Sequence, residues 1–198
     1  MPKETFFNLP LNKKETIDII LLETFYAQAI SHVKVSQIVD KMGMSRGAFY
    51  KYFEDLEDAY RYIIRKHSLI VHQDILAHIK QFQSDFFKGI EMYLVWCSEL
   101  GTVEPYWKAL KLLTASESGR TVKRIEMDES NEMMKQWLQI LESNHFKMTS
   151  ISEASSFLYF MMELVMSSLS DFITNEWTSE ELLRDYRFKV GWLLNGLV

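Results

Sequence analysis

The sequence predicts an all-α protein of about nine helices, short before residue 55 and longer after it. Apolar residues recur every three or four positions along most of the 198 residues, which is the period of an amphipathic helix. Residues that cap helices precede most of these periodic segments. The 7 glycines and 3 prolines are too few for a turn-rich β protein or a disordered chain.

Four helices are predicted before residue 81. Asn12 is placed to cap the first, and the second covers residues 35–42 and stops at Gly43. Ser45 caps a third, short helix with the sequence RGAFYKY. Asp55 caps a long fourth helix that continues to about residue 80.

Five further helices are predicted in the second part of the chain. Their ranges are 85–100, 102–116, 121–146, 150–175 and 178–197. The capping boxes Ser150-x-x-Glu153 and Thr178-x-x-Glu181 open the last two, which a short connection makes antiparallel. We therefore divide the chain into residues 1–54, a connecting helix over 55–80, and a larger domain over 81–198.

Charge, cysteine content and motifs exclude several classes of protein. Net charge is −5, so no overall basic field attracts nucleic acid. The single Cys97 rules out an internal disulfide. No signal peptide is visible, and the longest apolar stretch, residues 157–169, is too short to cross a bilayer. Glycine-rich phosphate loops, nucleophile elbows and zinc-ligand spacings are missing. We expect a cytoplasmic protein with no membrane partner, enzyme activity, metal or resident cofactor.

Residues 35–53, VSQIVDKMGMSRGAFYKYF, carry the most information about function. Two short helices meet at a glycine turn, and the residues spaced to close a small core are Ile38, Val39, Met42, Phe49 and Phe53. The outward residues are Ser36, Arg46, Gly47, Ala48, Tyr50, Lys51 and Tyr52. This is helix-turn-helix architecture, in which the second helix enters the major groove of DNA with its N-terminus first.

For two outward side chains of the second helix, the position predicts which group of the DNA they contact. Arg46, near the start of the helix, is placed to reach guanine O6 and N7 or a phosphate. Tyr50 follows the core residue Phe49 and points elsewhere, so its hydroxyl is expected to contact a phosphate. The alternative for Arg46 is a solvated surface charge, and the alternative for Tyr50 is a core aromatic.

The segment resembles the N-terminal domain of the tetracycline-repressor (TetR) family of transcriptional regulators. The matching residues are Val35-Ser36-Gln37-Ile38-Val39, Gly43-Met44-Ser45, Gly47-Ala48, Phe49-Tyr50 and Tyr52-Phe53. The resemblance covers roughly residues 11–65 and implies a homodimeric repressor that binds a palindromic double-stranded DNA operator and responds to a small-molecule effector. The DNA-binding residues it implies are Ser36, Ser45, Arg46, Gly47, Ala48, Tyr50, Lys51 and Tyr52.

One position departs from the family pattern. The family commonly has a phosphate-binding lysine three residues after the last phenylalanine of the motif, whereas here Phe53 is followed by Glu54-Asp55-Leu56. Residues 1–54 carry seven Lys and Arg against six Asp and Glu, a net charge of +1. DNA affinity is therefore expected to depend on where the cations lie, and to fall with salt.

The larger domain is rich in aromatic and methionine side chains. Of 27 aromatics and 11 methionines, 17 and 8 follow residue 80. We expect a bulky, apolar or planar effector among the predicted helices five to eight. The predicted ligand-binding residues are Tyr93, Trp96, Trp107, Trp137, Phe160, Met161 and Glu163, the last able to pair with a cation. The alternative is a packed core without a cavity.

The last two predicted helices carry more apolar surface than one partner helix covers. The residues are Phe157, Phe160, Met161, Leu164, Leu169, Phe172, Leu183, Tyr186, Val190, Leu193 and Leu194. A two-fold four-helix bundle would bury them. Such a dimer also places two recognition helices about 34–36 Å apart, as two operator half-sites require.

A second hypothesis is an all-α haem- or lipophile-binding protein whose helix-turn-helix is degenerate. His72 and His145, on different predicted helices, could clamp a haem axially. A di-iron site is excluded because it needs two Glu-x-x-His motifs, and only Glu142-x-x-His145 occurs.

Overall fold

The computed structural model describes residues 1–82, 85–115, 124, 128 and 130–196. In that part of the chain it contains ten α-helices, one short 3-10 turn and no strand, which confirms the all-α prediction. The helices are α1 (Glu4–Phe7), α2 (Leu11–Ala27), α3 (Val35–Met42), α4 (Arg46–Tyr52), α5 (Leu56–Gln81), α6 (Phe86–Ser98), α7 (Pro105–Ala115), α8 (Glu132–Ser143), α9 (Ile151–Thr174) and α10 (Ser179–Asn195).

Most of the predicted caps are confirmed. The Ser45 hydroxyl accepts a hydrogen bond from the Ala48 amide at 3.2 Å and opens α4. Asp55 accepts one from the Asp58 amide at 2.7 Å at the start of α5. Gly43 ends α3 at φ 60°, a left-handed conformation that glycine adopts without strain.

Three helix starts differ from prediction, one of them that of α7, which begins at Pro105 and not at residue 102. α2 begins after Pro10, and the Asn12 side chain accepts only from the amide of Lys13, at 2.8 Å, so Asn12 is not its cap. The predicted helix over 121–146 lies partly outside the described residues. Its described part begins only at Glu132, because the Asn131 side chain accepts from the amides of the two residues after Glu132 and caps the helix there. The short α1 was not predicted.

A first compact unit contains residues 1–69 and 101–121. In it α2 packs against α3 and α7, and its buried residues include Leu21, Phe25, Ile38, Val39, Phe49 and Phe53. Met42, predicted for this core, is half-buried. α7 therefore belongs to the same compact unit as the helix-turn-helix and packs there on α2, although the sequence grouped it with the larger domain.

A second compact unit contains residues 70–100 and 122–198. α6 packs there against α9 and α10, and the buried Trp137 indole donates to the Ala154 carbonyl at 2.8 Å. Arg187 makes two hydrogen bonds to the Glu91 carboxylate, at 3.0 and 3.1 Å. These bonds, together with Lys88, lower the pKa of Glu91 to about 2. By length and composition α9 could cross a membrane, but much of it is buried in this unit, as in a core helix.

The close approach of α5 and α6 at Gly89 gives a stability prediction. A Cβ atom at Gly89 would lie 2.5 Å from the Ile79 Cα, so the backbone would have to move. Gly89→Ala is expected to lower the free energy of unfolding by about 1–3 kcal/mol in equilibrium urea denaturation. Gly47→Ala is the matched control, since only the Ser45 hydroxyl lies within 4 Å, at 3.9 Å. A Gly89→Ala protein as stable as the wild type would contradict the close approach.

Candidate functional site

The helix-turn-helix prediction is confirmed in its local geometry. α3 and α4 are joined by the three residues from Gly43 to Ser45. The inner face of α4 is anchored by Phe49, and Phe53 follows directly after the helix; both side chains are fully buried and lie 5.4 Å apart between ring centroids. Because this face is fixed in the core, the opposite face of α4 has a defined orientation toward solvent.

The predicted DNA-binding residues lie on α3, in the turn and on α4. Ser36, Ser45, Arg46, Gly47, Tyr50 and Lys51 are exposed, whereas Ala48 and Tyr52 are half-buried. The exposed members on α4 are spaced so that 46 and 50, and 47 and 51, are neighbours one turn apart. The structure thus gathers four of the predicted residues on one exposed face of a short helix.

Arg46 and Tyr50 form a pair on this face. The guanidinium carbon of Arg46 lies 6.0 Å from the centroid of the Tyr50 ring. The ring also meets Phe49 edge to face at 5.4 Å and is 38% exposed. A guanidinium stacked on an aromatic ring keeps its N–H donors free for other partners. The pair can therefore present donors to a base edge or to a phosphate.

Tyr52 is less outward than predicted. Its ring meets the Phe6 ring at 6.2 Å, and the Lys13 ammonium lies 5.9 Å from its centroid. Phe6 belongs to α1 and is 1% exposed. Tyr52 is thus partly buried because it contacts α1, a helix that the sequence did not predict. The four residues of α1 are too few to show a helical period.

Residues of this N-terminal segment bind the end of α4. The Lys3 amide donates to the Tyr52 carbonyl and the Lys3 ammonium to the Tyr50 carbonyl, both at 2.8 Å. The Thr5 hydroxyl donates to the Lys51 carbonyl. The three last carbonyls of α4 therefore all accept a hydrogen bond from residues 3–5.

Within the first unit, α5 is joined to α2 by polar contacts. The Lys66 ammonium pairs with Asp18, whose side chain is nearly buried. Burial, and then the Asp18 charge, raise the pKa of Tyr62. Burial, and then the Lys66 charge, lower the pKa of His67 to about 4, so this imidazole is neutral at pH 7. The ion pair between Lys66 and Asp18 holds α5 against α2, whose buried side chains belong to the helix-turn-helix core.

α7 binds the C-terminal part of α2 through cations. The Lys108 ammonium pairs with Glu23 at 2.5 Å. It also lies 5.9 Å from the Tyr26 ring centroid, and the Lys111 ammonium lies 5.5 Å from the same centroid. The first unit therefore holds α2 by ionic contacts to two other helices.

The predicted ligand-binding residues are not all brought together. Tyr93, Trp137 and Met161 are buried in the second unit, and Trp96 is half-buried beside Tyr93 and His78. Phe160 is 44% exposed and Glu163 is exposed, because the inner face of α9 is taken by Leu158, Met161 and Val165. Trp107 lies on α7 in the first unit.

Two open grooves are present at the surface of the described residues. One, of about 310 Å³, is lined by Asn12, Lys13, Thr16, Ile17, Met42 and Met44. The other, of about 210 Å³, is lined by Trp177, Glu181, Arg184, Asp185 and Phe188. Neither groove is lined by a predicted ligand-binding residue.

The two histidines of the haem hypothesis and the single cysteine lie on or beside different helices. His72 is half-buried on α5, and His145 is exposed just after α8, at φ 59°. No cluster of three or more metal-binding side chains occurs in the part of the chain that is described. Burial raises the pKa of the Cys97 thiol to about 12, so it stays protonated and unreactive at pH 7.

Comparison with known proteins agrees with this architecture. A family model described as the tetracyclin repressor-like C-terminal domain matches residues 85–197, more than half of the chain. A TetR-family transcriptional regulator of Pectobacterium atrosepticum has a similar structure, with 13% sequence identity and a TM-score of 0.57 over 96% of this chain and 98% of that chain. No curated protein sequence matches the chain.

Two further solved structures share the fold. NalD, the secondary repressor of the MexAB-OprM multidrug efflux pump in Pseudomonas aeruginosa, has 16% identity and a TM-score of 0.53 over 88% of this chain and 94% of that chain. FadR from Bacillus subtilis, solved in complex with stearoyl-CoA, has 16% identity and a TM-score of 0.51 over 93% of this chain and 99% of that chain. At these identities the likeness concerns the fold.

The two halves of the chain thus point to one family by independent routes. The helix-turn-helix stands in the first compact unit, and the family model covers the C-terminal part of the chain. The chain belongs to the TetR family of transcriptional regulators.

Proposed function

We propose that this protein is a repressor that binds a palindromic DNA operator as a homodimer and leaves it when a bulky, apolar or planar effector binds. The observation that carries the proposal is the exposed pair of Arg46 and Tyr50 on a helix whose other face is buried. A short helix with one fixed face and exposed cationic donors suits insertion into a major groove. Such a regulator acts in the cytoplasm, where the operator is.

The proposed DNA contacts use local cations in a chain of net charge −5. Arg46 and Lys51 lie on the exposed face of α4, and Lys34 precedes α3 as an exposed side chain. The start of α5 is acidic, with Glu57 and Asp58 in its first turn, so it supplies no cation of its own. The contacts to phosphates are therefore expected to be few and the salt dependence of binding modest.

The proposed dimer forms through α9 and α10. Phe160 on α9 is exposed, as are four large apolar residues on α10: Phe188, Trp192, Leu193 and Leu194. Other members of the predicted apolar set, such as Leu169 and Tyr186, are buried within the chain itself. Exposed large apolar side chains on two helices that pack against each other support association with a second copy.

The proposed effector site lies around Trp96. This side chain is half-buried and contacts Tyr93 and His78, whereas Trp137 is fully buried. An effector that opens this cluster can stack on Trp96 and shift the protein toward a form that does not bind DNA. The stearoyl-CoA complex of FadR, which shares the fold, supports a large ligand with an apolar chain.

The DNA assignment predicts the effect of two substitutions. Duplexes retained by the protein from a random-sequence pool supply the operator, and Arg46→Ala and Tyr50→Ala should each weaken its binding by about 1–3 kcal/mol. Lys135→Ala is the charge-matched control, because Lys135 is an exposed cation on α8. Gel shifts at fixed salt measure the difference. Wild-type affinity in both α4 variants would overturn the assignment.

The dimer face predicts a monomeric variant. Leu194, 62% exposed on α10, should lie against the second copy, so Leu194→Asp would place a charge in an apolar contact. Sedimentation at micromolar concentration is expected to show a dimer for the wild type and a monomer for Leu194→Asp. Ile19→Asp is the control, since Ile19 is equally exposed but on α2. A monomeric wild-type protein removes the proposal.

The effector site predicts a specific fluorescence response. Titration with acyl compounds, lipophilic cations and haem should change tryptophan emission with at least one of them, and that ligand should also weaken operator binding. Trp96→Phe should lose most of the change, whereas Trp177→Phe, a half-buried tryptophan in the loop before α10, should keep it. A flat response to all three classes leaves the packed-core alternative.

A further inference from the structure

The recognition helix α4 has only seven residues, and its C-terminal end is completed by residues from the start of the chain. In any helix the last four carbonyls have no partner within the helix. Here the Phe49 carbonyl accepts a hydrogen bond from the Phe53 amide at 2.9 Å. The next three carbonyls, of residues 50–52, accept from the Lys3 ammonium, the Thr5 hydroxyl and the Lys3 amide.

The charge of Lys3 suits this position. The C-terminal end of a helix carries a partial negative charge, which a nearby cation stabilises. The Lys3 ammonium reaches the Tyr50 carbonyl at 2.8 Å, so it acts on the residue whose ring stacks with Arg46. The backbone of Tyr50, one member of the proposed DNA-contacting pair, is thus bonded directly to the N-terminal segment.

An aromatic anchor holds the segment in place. The Phe6 ring is 1% exposed and lies 5.2 Å from the Phe53 ring and 5.0 Å from the Tyr62 ring. Phe53 follows α4, and Tyr62 is on the second turn of α5. Phe6 therefore joins the end of the recognition helix to the helix that follows it.

We propose that Lys3, Thr5 and Phe6 are positioning residues for the recognition helix, which fix its last turn and so the direction of Arg46 and Tyr50. This inference rests on the proposed DNA-binding function and adds residues outside the family's helix-turn-helix motif. The three residues act through α4 and do not touch DNA. Their loss lowers operator affinity while effector binding and dimerisation are unchanged.

The test compares operator affinity across salt concentrations for full-length dimeric variants. Thr5→Val and Lys3→Met should each weaken binding about five- to thirtyfold, since one hydrogen bond is lost per protomer. The salt slope should stay at the wild-type value. Thr5→Ser should restore affinity, because it keeps the hydroxyl, and Phe6→Leu should bind weakly. Thr114→Val, which removes a hydroxyl-to-carbonyl bond within α7 of the same unit, should bind like the wild type.

Hydrogen exchange separates positioning from general loss of stability. In Thr5→Val the amides of the last turn of α4 should exchange faster, while those of α3 and α6 keep their wild-type protection. Wild-type affinity in both Thr5→Val and Lys3→Met overturns the proposal, as does equal loss of protection in every helix. A salt slope reduced by about 0.9 per protomer in Lys3→Met would make Lys3 a phosphate contact instead. A wild-type protein that retains no duplex refutes the proposed function, and the exchange data then still decide whether the segment holds α4.

Discussion

The proposed DNA-binding face depends on one constraint: a helix of seven residues cannot hold its own conformation or direction. Isolated helices of this length are unstable in water, so α4 must be held by tertiary contacts. Phe49 and Phe53 fix its inner side, and residues 3–5 bind its last carbonyls. With its inner face and its C-terminal end held in this way, α4 presents Arg46 and Tyr50 on its exposed face.

The rest of the first unit extends the same principle. α2 is held by an ion pair to α5, through Asp18 and Lys66, and by a second one to α7, through Glu23 and Lys108. Exposed ion pairs contribute little to stability, but Asp18 and the Lys108 side chain are largely buried, so these two depend less on salt. α2, whose buried side chains belong to the helix-turn-helix core, is therefore tied by ion pairs to α5 and to α7.

Local patterns were sufficient to predict the helix-turn-helix. The Ser45 cap, the Gly43 stop and the spacing of Phe49 and Phe53 all act within a few residues, and each is confirmed. The N-terminal segment was missed because its bonds join residues 46 or more positions apart, and its four-residue helix has no period to detect.

The predicted effector residues are not all brought together, because the prediction assumed that aromatics on successive helices face one cavity. Phe160 and Glu163 lie on the outer face of α9, since Met161 takes the inner one. Trp107 belongs to the first unit because α7 packs on α2. Periodicity alone defines which faces of a helix are apolar, and not which neighbour each face meets.

In the proposed function, α4 reads a major groove in each of two half-sites. Dimethyl sulfate protection of the selected operator tests this contact, because the reagent methylates guanine N7 in the major groove. We expect two symmetric clusters of protected guanines whose centres lie about 34–36 Å apart, and we expect Arg46→Ala to lose them. A single cluster, or a bound complex in which every guanine N7 stays reactive, would contradict it.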